Sequence, residues 1–130
     1  MRTKAIILFS IITLAIACKS TKNSQSSNQN SGKEDIYRVI VSFASKGEGV
    51  PETNLASLES FLLTFGKAEN KTIIYDKFHH GREGEVDYCF YLKELSSGKQ
   101  KDFVKALKNL STQLGQLVFI QENVACKHKK

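Results

Sequence analysis

Beyond the first twenty residues, the side chains suited to ligation or thiol chemistry are Cys89, Cys126, His79, His80 and His128. Imidazole and thiolate are both zinc ligands, but the closely spaced Cys-x-x-Cys pair that anchors most zinc sites is absent. His79 and His80 are adjacent and fall in a turn, where neighbouring side chains point to different sides. The three histidines are thus metal candidates without a ligand motif behind them, and no cofactor is expected. The two cysteines invite a disulfide in an oxidising compartment. Asp76, Glu83, Glu85 and Asp87 gather around one hairpin. A paired-carboxylate mechanism needs two acids at a defined separation, which strand alternation alone does not set. Neither a Gly-x-Ser-x-Gly elbow nor a His-Glu-x-x-His pair is present. Ser45-Lys46-Gly47-Glu48-Gly49 could offer backbone N–H groups to an anion ahead of a helix. It lacks the Gly-Lys-Ser/Thr ending of a phosphate loop and reads better as a polar connection. None of these patterns specifies an enzyme.

Charge narrows the partners. The chain has 130 residues, with 19 basic and 13 acidic side chains and a formal charge of +6. Five of the cations, Arg2, Lys4, Lys19, Lys22 and Lys33, precede residue 34, which leaves 14 basic against 13 acidic residues over 34–130. Without Lys127, Lys129 and Lys130 the remainder is slightly acidic. The basic footprint of a nucleic-acid binder is missing.

The elements that must position these residues follow from periodicity. Ile36 to Phe43 is rich in β-branched and aromatic residues and reads as a strand, with Tyr37, Val39, Val41 and Phe43 on one face and Arg38 and Ser42 on the other. Pro51 suits a helix start. Leu55, Leu58, Phe61, Leu62 and Phe65 recur at helical spacing, and Gly66 offers a left-handed terminator. Lys71 to Phe78 reads as a second strand, residues 79–84 as a turn with two glycines, and Val86, Tyr88, Phe90 and Leu92 as the buried face of a third strand. Ser97 and Gln100 match a capping box ahead of Phe103, Val104, Leu107, Leu110 and Leu114. A last strand begins at Leu117.

The order β-α-β-β-α-β, with right-handed crossovers, resembles the ferredoxin-like fold: an α+β sandwich of two helices on one face of a four-stranded antiparallel sheet, ordered 4-1-3-2. The resemblance is one of element order over residues 34–130, and the fold hosts many functions. It leaves one sheet face without helix cover, where Arg38, Asp87, Cys89 and Tyr91 would form a face for a protein partner or a second copy. The third and fourth strands would lie about 9.5 Å apart across the first, too far for the approximately 7 Å limit of a disulfide. A tail crossing the open face would close that gap, and a Cys89–Cys126 disulfide is expected to hold it.

The N-terminus gives an address. Arg2 and Lys4 precede an apolar run from Ala5 to Ala17. As a helix this run would rise about 20 Å, short of a hydrocarbon core of about 30 Å, and it has the form of a secretory signal. Its end, Leu14-Ala15-Ile16-Ala17-Cys18, resembles the lipobox of bacterial lipoproteins, with Ala15 where that family more often has Leu. The resemblance implies a signal peptide over 1–17, cleavage between Ala17 and Cys18, and a lipid on the Cys18 thiol. Two or three acyl chains hold a protein stably on a membrane. Residues 19–33 contain no apolar side chain and, together with Cys18, read as a disordered polar tether spanning about 20 Å as a coil. Lys19 is not the Asp that favours inner-membrane retention in this family, so the periplasmic side of an outer membrane is expected. The functional expectation is a non-catalytic binding module of the cell envelope. The alternatives are a small metal-binding protein or enzyme using His79, His80 and the cysteines, and a structural or toxin-neutralising lipoprotein.

Overall fold

The computed structural model describes residues 35–129; the expected signal peptide, Cys18 and the tether lie outside them. The elements are β1 (Ile36–Phe43), α1 (Glu52–Glu69), β2 (Asp76–His80), β3 (Glu85–Phe90), α2 (Ser97–Leu114) and β4 (Val118–Ala125). The sheet order is β2-β3-β1-β4, and every pairing is antiparallel. This is the α+β, ferredoxin-like arrangement that the element order implied.

Alternation sends Val39, Val41 and Phe43 of β1 and Val86, Tyr88 and Phe90 of β3 to one face. There they meet Leu58 and Leu62 of α1 and Phe103, Val104 and Leu107 of α2 in the main core. Phe103 fills its centre, with ring centroids 5.1 Å from Phe65, 5.4 Å from Phe61 and 5.5 Å from Phe90.

Local chemistry moves several boundaries. α1 runs past Gly66 and ends at Asn70, which takes the left-handed conformation (φ 52°, ψ 43°) that Asn tolerates better than most residues. Gly66 serves close approach instead: a Cβ there would lie 2.6 Å from the Lys71 carbonyl oxygen. Residues 71–75 carry the apolar content of a strand without pairing in the sheet. Ile73 is buried in the core, while the Ile74 N–H donates to Glu94 Oε1 at 2.9 Å. The capping box is replaced by a longer reach, since Ser96 precedes α2 and the Gln100 amide donates to the carbonyls of Leu92 (2.9 Å) and Leu95 (3.1 Å).

Two departures shape the opposite face of the sheet. His79 and His80 belong to β2, opposite Val86 and Glu85, and the turn is Gly81–Gly84, with φ +68° at Gly81 and +81° at Gly84. Further along, the alternation of β1 inverts between Tyr37 and Val39. Asn123 of β4 has φ 54°, and this left-handed residue re-aims the strand end beside it. Tyr37 and Val124, paired in the ladder, consequently leave the main core. They join Ile40, Cys89, Cys126, Phe78 and Tyr91 in a second apolar cluster.

Candidate metal centre

Strand register builds one side of the centre. Phase along β2 and β3 places His80 and Asp87 on the face opposite the helices, joined by the four-residue glycine turn. The His80 imidazole Nε2 lies 3.3 Å from Asp87 Oδ1. The other side comes from the residues after β4. The chain turns at Cys126, whose carbonyl accepts from the Lys129 N–H at 3.3 Å, and crosses the open face. His128 Nδ1 then reaches Asp87 Oδ2 at 2.5 Å. The two imidazoles stack with centroids 3.6 Å apart and planes 14° from parallel, each presenting a nitrogen to the same carboxylate. One ligand atom from each of His80, Asp87 and His128 falls within 4.8 Å of the others.

Asp87 is the pivot and is only 3% exposed. Burial pushes its carboxyl up, but the Ser42 hydroxyl, the His128 bond and the charges of His80 and His128 outweigh that and hold it below its ordinary value of 3.8. It is therefore an anion at neutral pH. Ser42 and Asp87 are register partners between β1 and β3, so the central strand supplies that hydroxyl. Such outer hydrogen bonds orient a ligating carboxylate.

The two cysteines are both free thiols rather than the expected disulfide. The crossing tail does bring them into one buried cluster, but polar contacts hold it down. Cys126 Sγ approaches Asp87 Oδ2 at 4.0 Å. The Lys129 ammonium meets Asp35 Oδ2 at 2.5 Å and lies 5.8 Å from the Tyr37 ring centroid. Burial, with the Cys126 thiol and Asp87 nearby, pushes the Cys89 thiol well up. The Tyr37 hydroxyl donates to Asp76 Oδ2 at 2.7 Å while its ring stacks on Tyr91 at 4.1 Å. Burial followed by these two neighbours pushes the Tyr37 phenol far up.

His80, Asp87 and His128 thus meet here with Cys126 beside them, whereas His79 and Arg38 stand apart. His79 is exposed and outside the group. Arg38 does not join Asp87 and Tyr91: it pairs with Glu122 Oε2 at 2.7 Å and lines a hollow with Lys101, Lys105 and Lys108 of α2. The inversion of β1 is the reason, since it turns Arg38 to the helix side. Asp87, the residue both histidines share, carried no signal as a ligand in the sequence. The signal that would have found it is register: extending β2 to His80 across a four-residue turn puts His80, not His79, on the Asp87 side. Comparison of the chain with protein-family models, with curated proteins and with solved structures finds no match, so the reading of this centre rests on its own geometry.

Proposed function

We propose that this chain is a non-catalytic, lipid-anchored envelope protein whose ligand is a divalent transition-metal ion, zinc foremost, held by His80, Asp87 and His128. The carrying observation is the convergence of two imidazole nitrogens and one buried carboxylate oxygen within 4.8 Å. Nitrogen and oxygen donors in this ratio suit zinc and its borderline neighbours, whereas calcium and magnesium prefer oxygen alone. A common ion requires the imidazoles to open from their parallel stack. His128, with 41% of its side chain exposed, is the partner free to turn.

The address supports this reading, because lipidation at Cys18 would set the domain on the envelope, within reach of ions in the surrounding solution. The tail covers the part of the open face around Asp87 and Cys89, so a small ligand suits that part better than a broad docking surface. The test is zinc titration of the purified full-length protein against a chromophoric chelator. One ion per chain is expected, with affinity lowered by about tenfold or more in His80→Ala, Asp87→Ala and His128→Ala. Failure of the folded wild type to compete with a weak chelator overturns the metal reading. For the anchor, Cys18→Ser should abolish acylation and release the protein from the membrane fraction. Wild type found unacylated with residues 1–17 attached would contradict it.

A further inference from the structure

Three protein ligands leave a four-coordinate ion short of one, and a thiol lies beside the carboxylate. Cys126 Sγ stands 4.0 Å from Asp87 Oδ2. In a tetrahedral site with a metal–sulfur bond of about 2.3 Å and a metal–oxygen bond of about 2.0–2.2 Å, those two atoms would be about 3.5–3.7 Å apart. The thiol thus already stands near ligand spacing from the carboxylate; it lies outside the 4.8 Å group with the imidazole nitrogens, and joins them only with the opening of the stack that a common ion requires. Cys126 also shares its short segment with His128, two residues on, so the rotation that turns the imidazole toward an ion acts on the same stretch of backbone. Cys89 is less suited: it is fixed in β3 and 0% exposed, against 8% for Cys126.

Resting on the metal reading above, we propose that Cys126 supplies the fourth ligand, giving a closed site in which the β2–β3 hairpin contributes His80 and Asp87 and the tail contributes Cys126 and His128. Binding breaks the Cys126 S–H bond, forms a sulfur–metal bond and releases the proton to solvent. No electron moves. Sites with four protein ligands are of the structural kind, so the ion's task is to pin the tail across the sheet. An oxidised Cys89–Cys126 pair, formed by exchange with an external disulfide that leaves as two thiols, would withdraw the fourth ligand. Metal affinity would then depend on the thiol redox state of the surroundings.

The experiment is Co(II) substitution in the reduced full-length protein, read by absorption. Wild type and Cys89→Ser are expected to show a thiolate-to-cobalt charge-transfer band in the near ultraviolet, together with intense four-coordinate d–d bands. Cys126→Ser should lose the charge-transfer band and bind Co(II) about tenfold or more weakly through the remaining three ligands. Zinc binding by wild type should release one proton more than binding by Cys126→Ser. Co(II) bound by wild type without the charge-transfer band, or an unchanged spectrum in Cys126→Ser, overturns the fourth ligand and leaves the three-residue site standing. Absence of Co(II) and zinc binding in folded wild type overturns both.

Discussion

Replacing Asp87 by Asn keeps the shape of the side chain and removes its charge, so it isolates the electrostatic part of the tail contact. The carboxylate receives His80 at 3.3 Å and His128 at 2.5 Å, with Ser42 as a third partner. Hydrogen bonds to a charged group contribute about 1.5–3 kcal/mol each, roughly twice a neutral one. The His80 contact is long, and the His128 side chain is 41% exposed, so both count at the low end. Ser42 can still bond an amide. The expected loss is about 2 kcal/mol, which for a domain of this size lowers Tm by about 8–16 °C. The sign with pH follows from the depressed carboxyl. Its contribution is complete above the unfolded-state value near 3.8 and is lost as pH falls through the lower folded-state value. The gap between wild type and Asp87→Asn should therefore be fully open above pH about 4 and shrink below it. Thermal melts followed by circular dichroism, with a chelator present to strip adventitious metal, measure it. A gap that is absent at pH 7, or that stays constant down to pH 2, would refute the assignment of Asp87 as the charged pivot.

Other perturbations have equally definite outcomes. Gly81→Ala forces a positive φ of +68° on an L residue and sets a Cβ against the Glu85 carboxylate. It should cost about 1–2 kcal/mol in a denaturant titration, and at least as much as Gly84→Ala, where φ is +81° but no atom lies within 4 Å. Phe103→Ala empties the centre of the main core, where the ring is 0% exposed, and should cost about 3–5 kcal/mol. Glu122→Gln breaks the pairs with Arg38 and Lys108 at the surface and should leave stability within about 1 kcal/mol of wild type.

What the sequence revealed depended on how far each signal acts along the chain. The helices and the core faces of β1 and β3 were legible because Val39, Val41 and Phe43, like Val86, Tyr88 and Phe90, are set by period-two alternation over a few residues. The span of β2 was not. Ile73 and Ile74 look like strand residues, yet only one of them is buried, and the pairing segment begins at Asp76, where no apolar run announces it. The side taken by Arg38 was hidden for a different reason. The inversion coincides with the left-handed backbone of Asn123 on the neighbouring strand, 85 residues away, and alternation read along one strand is blind to its partner. The centre was half legible: His80 and His128 stood out by type, and a crossing tail was expected only as the means of a disulfide that is not formed. Asp87 was hidden among several carboxylates, because its distinction is a position in register and a burial that no local pattern records.

The place of β1 in the sheet also governs when this protein can fold. β1 is the first of the described strands to leave the ribosome, yet it sits in the middle of the sheet and waits for β4, its partner from Ile36↔Ala125 to Phe43↔Val118. At about 5–20 residues per second, the roughly 75 residues between these strands take about 4–15 s to synthesise. During that interval one edge of an apolar strand, Ile-Tyr-Arg-Val-Ile-Val-Ser-Phe, has no native neighbour to pair with. Such an edge is a template for pairing with other chains. If the chain is threaded through a membrane before folding, the delay is harmless, because translocation itself keeps the strand extended. Made without export, the same topology leaves that edge open for the whole interval.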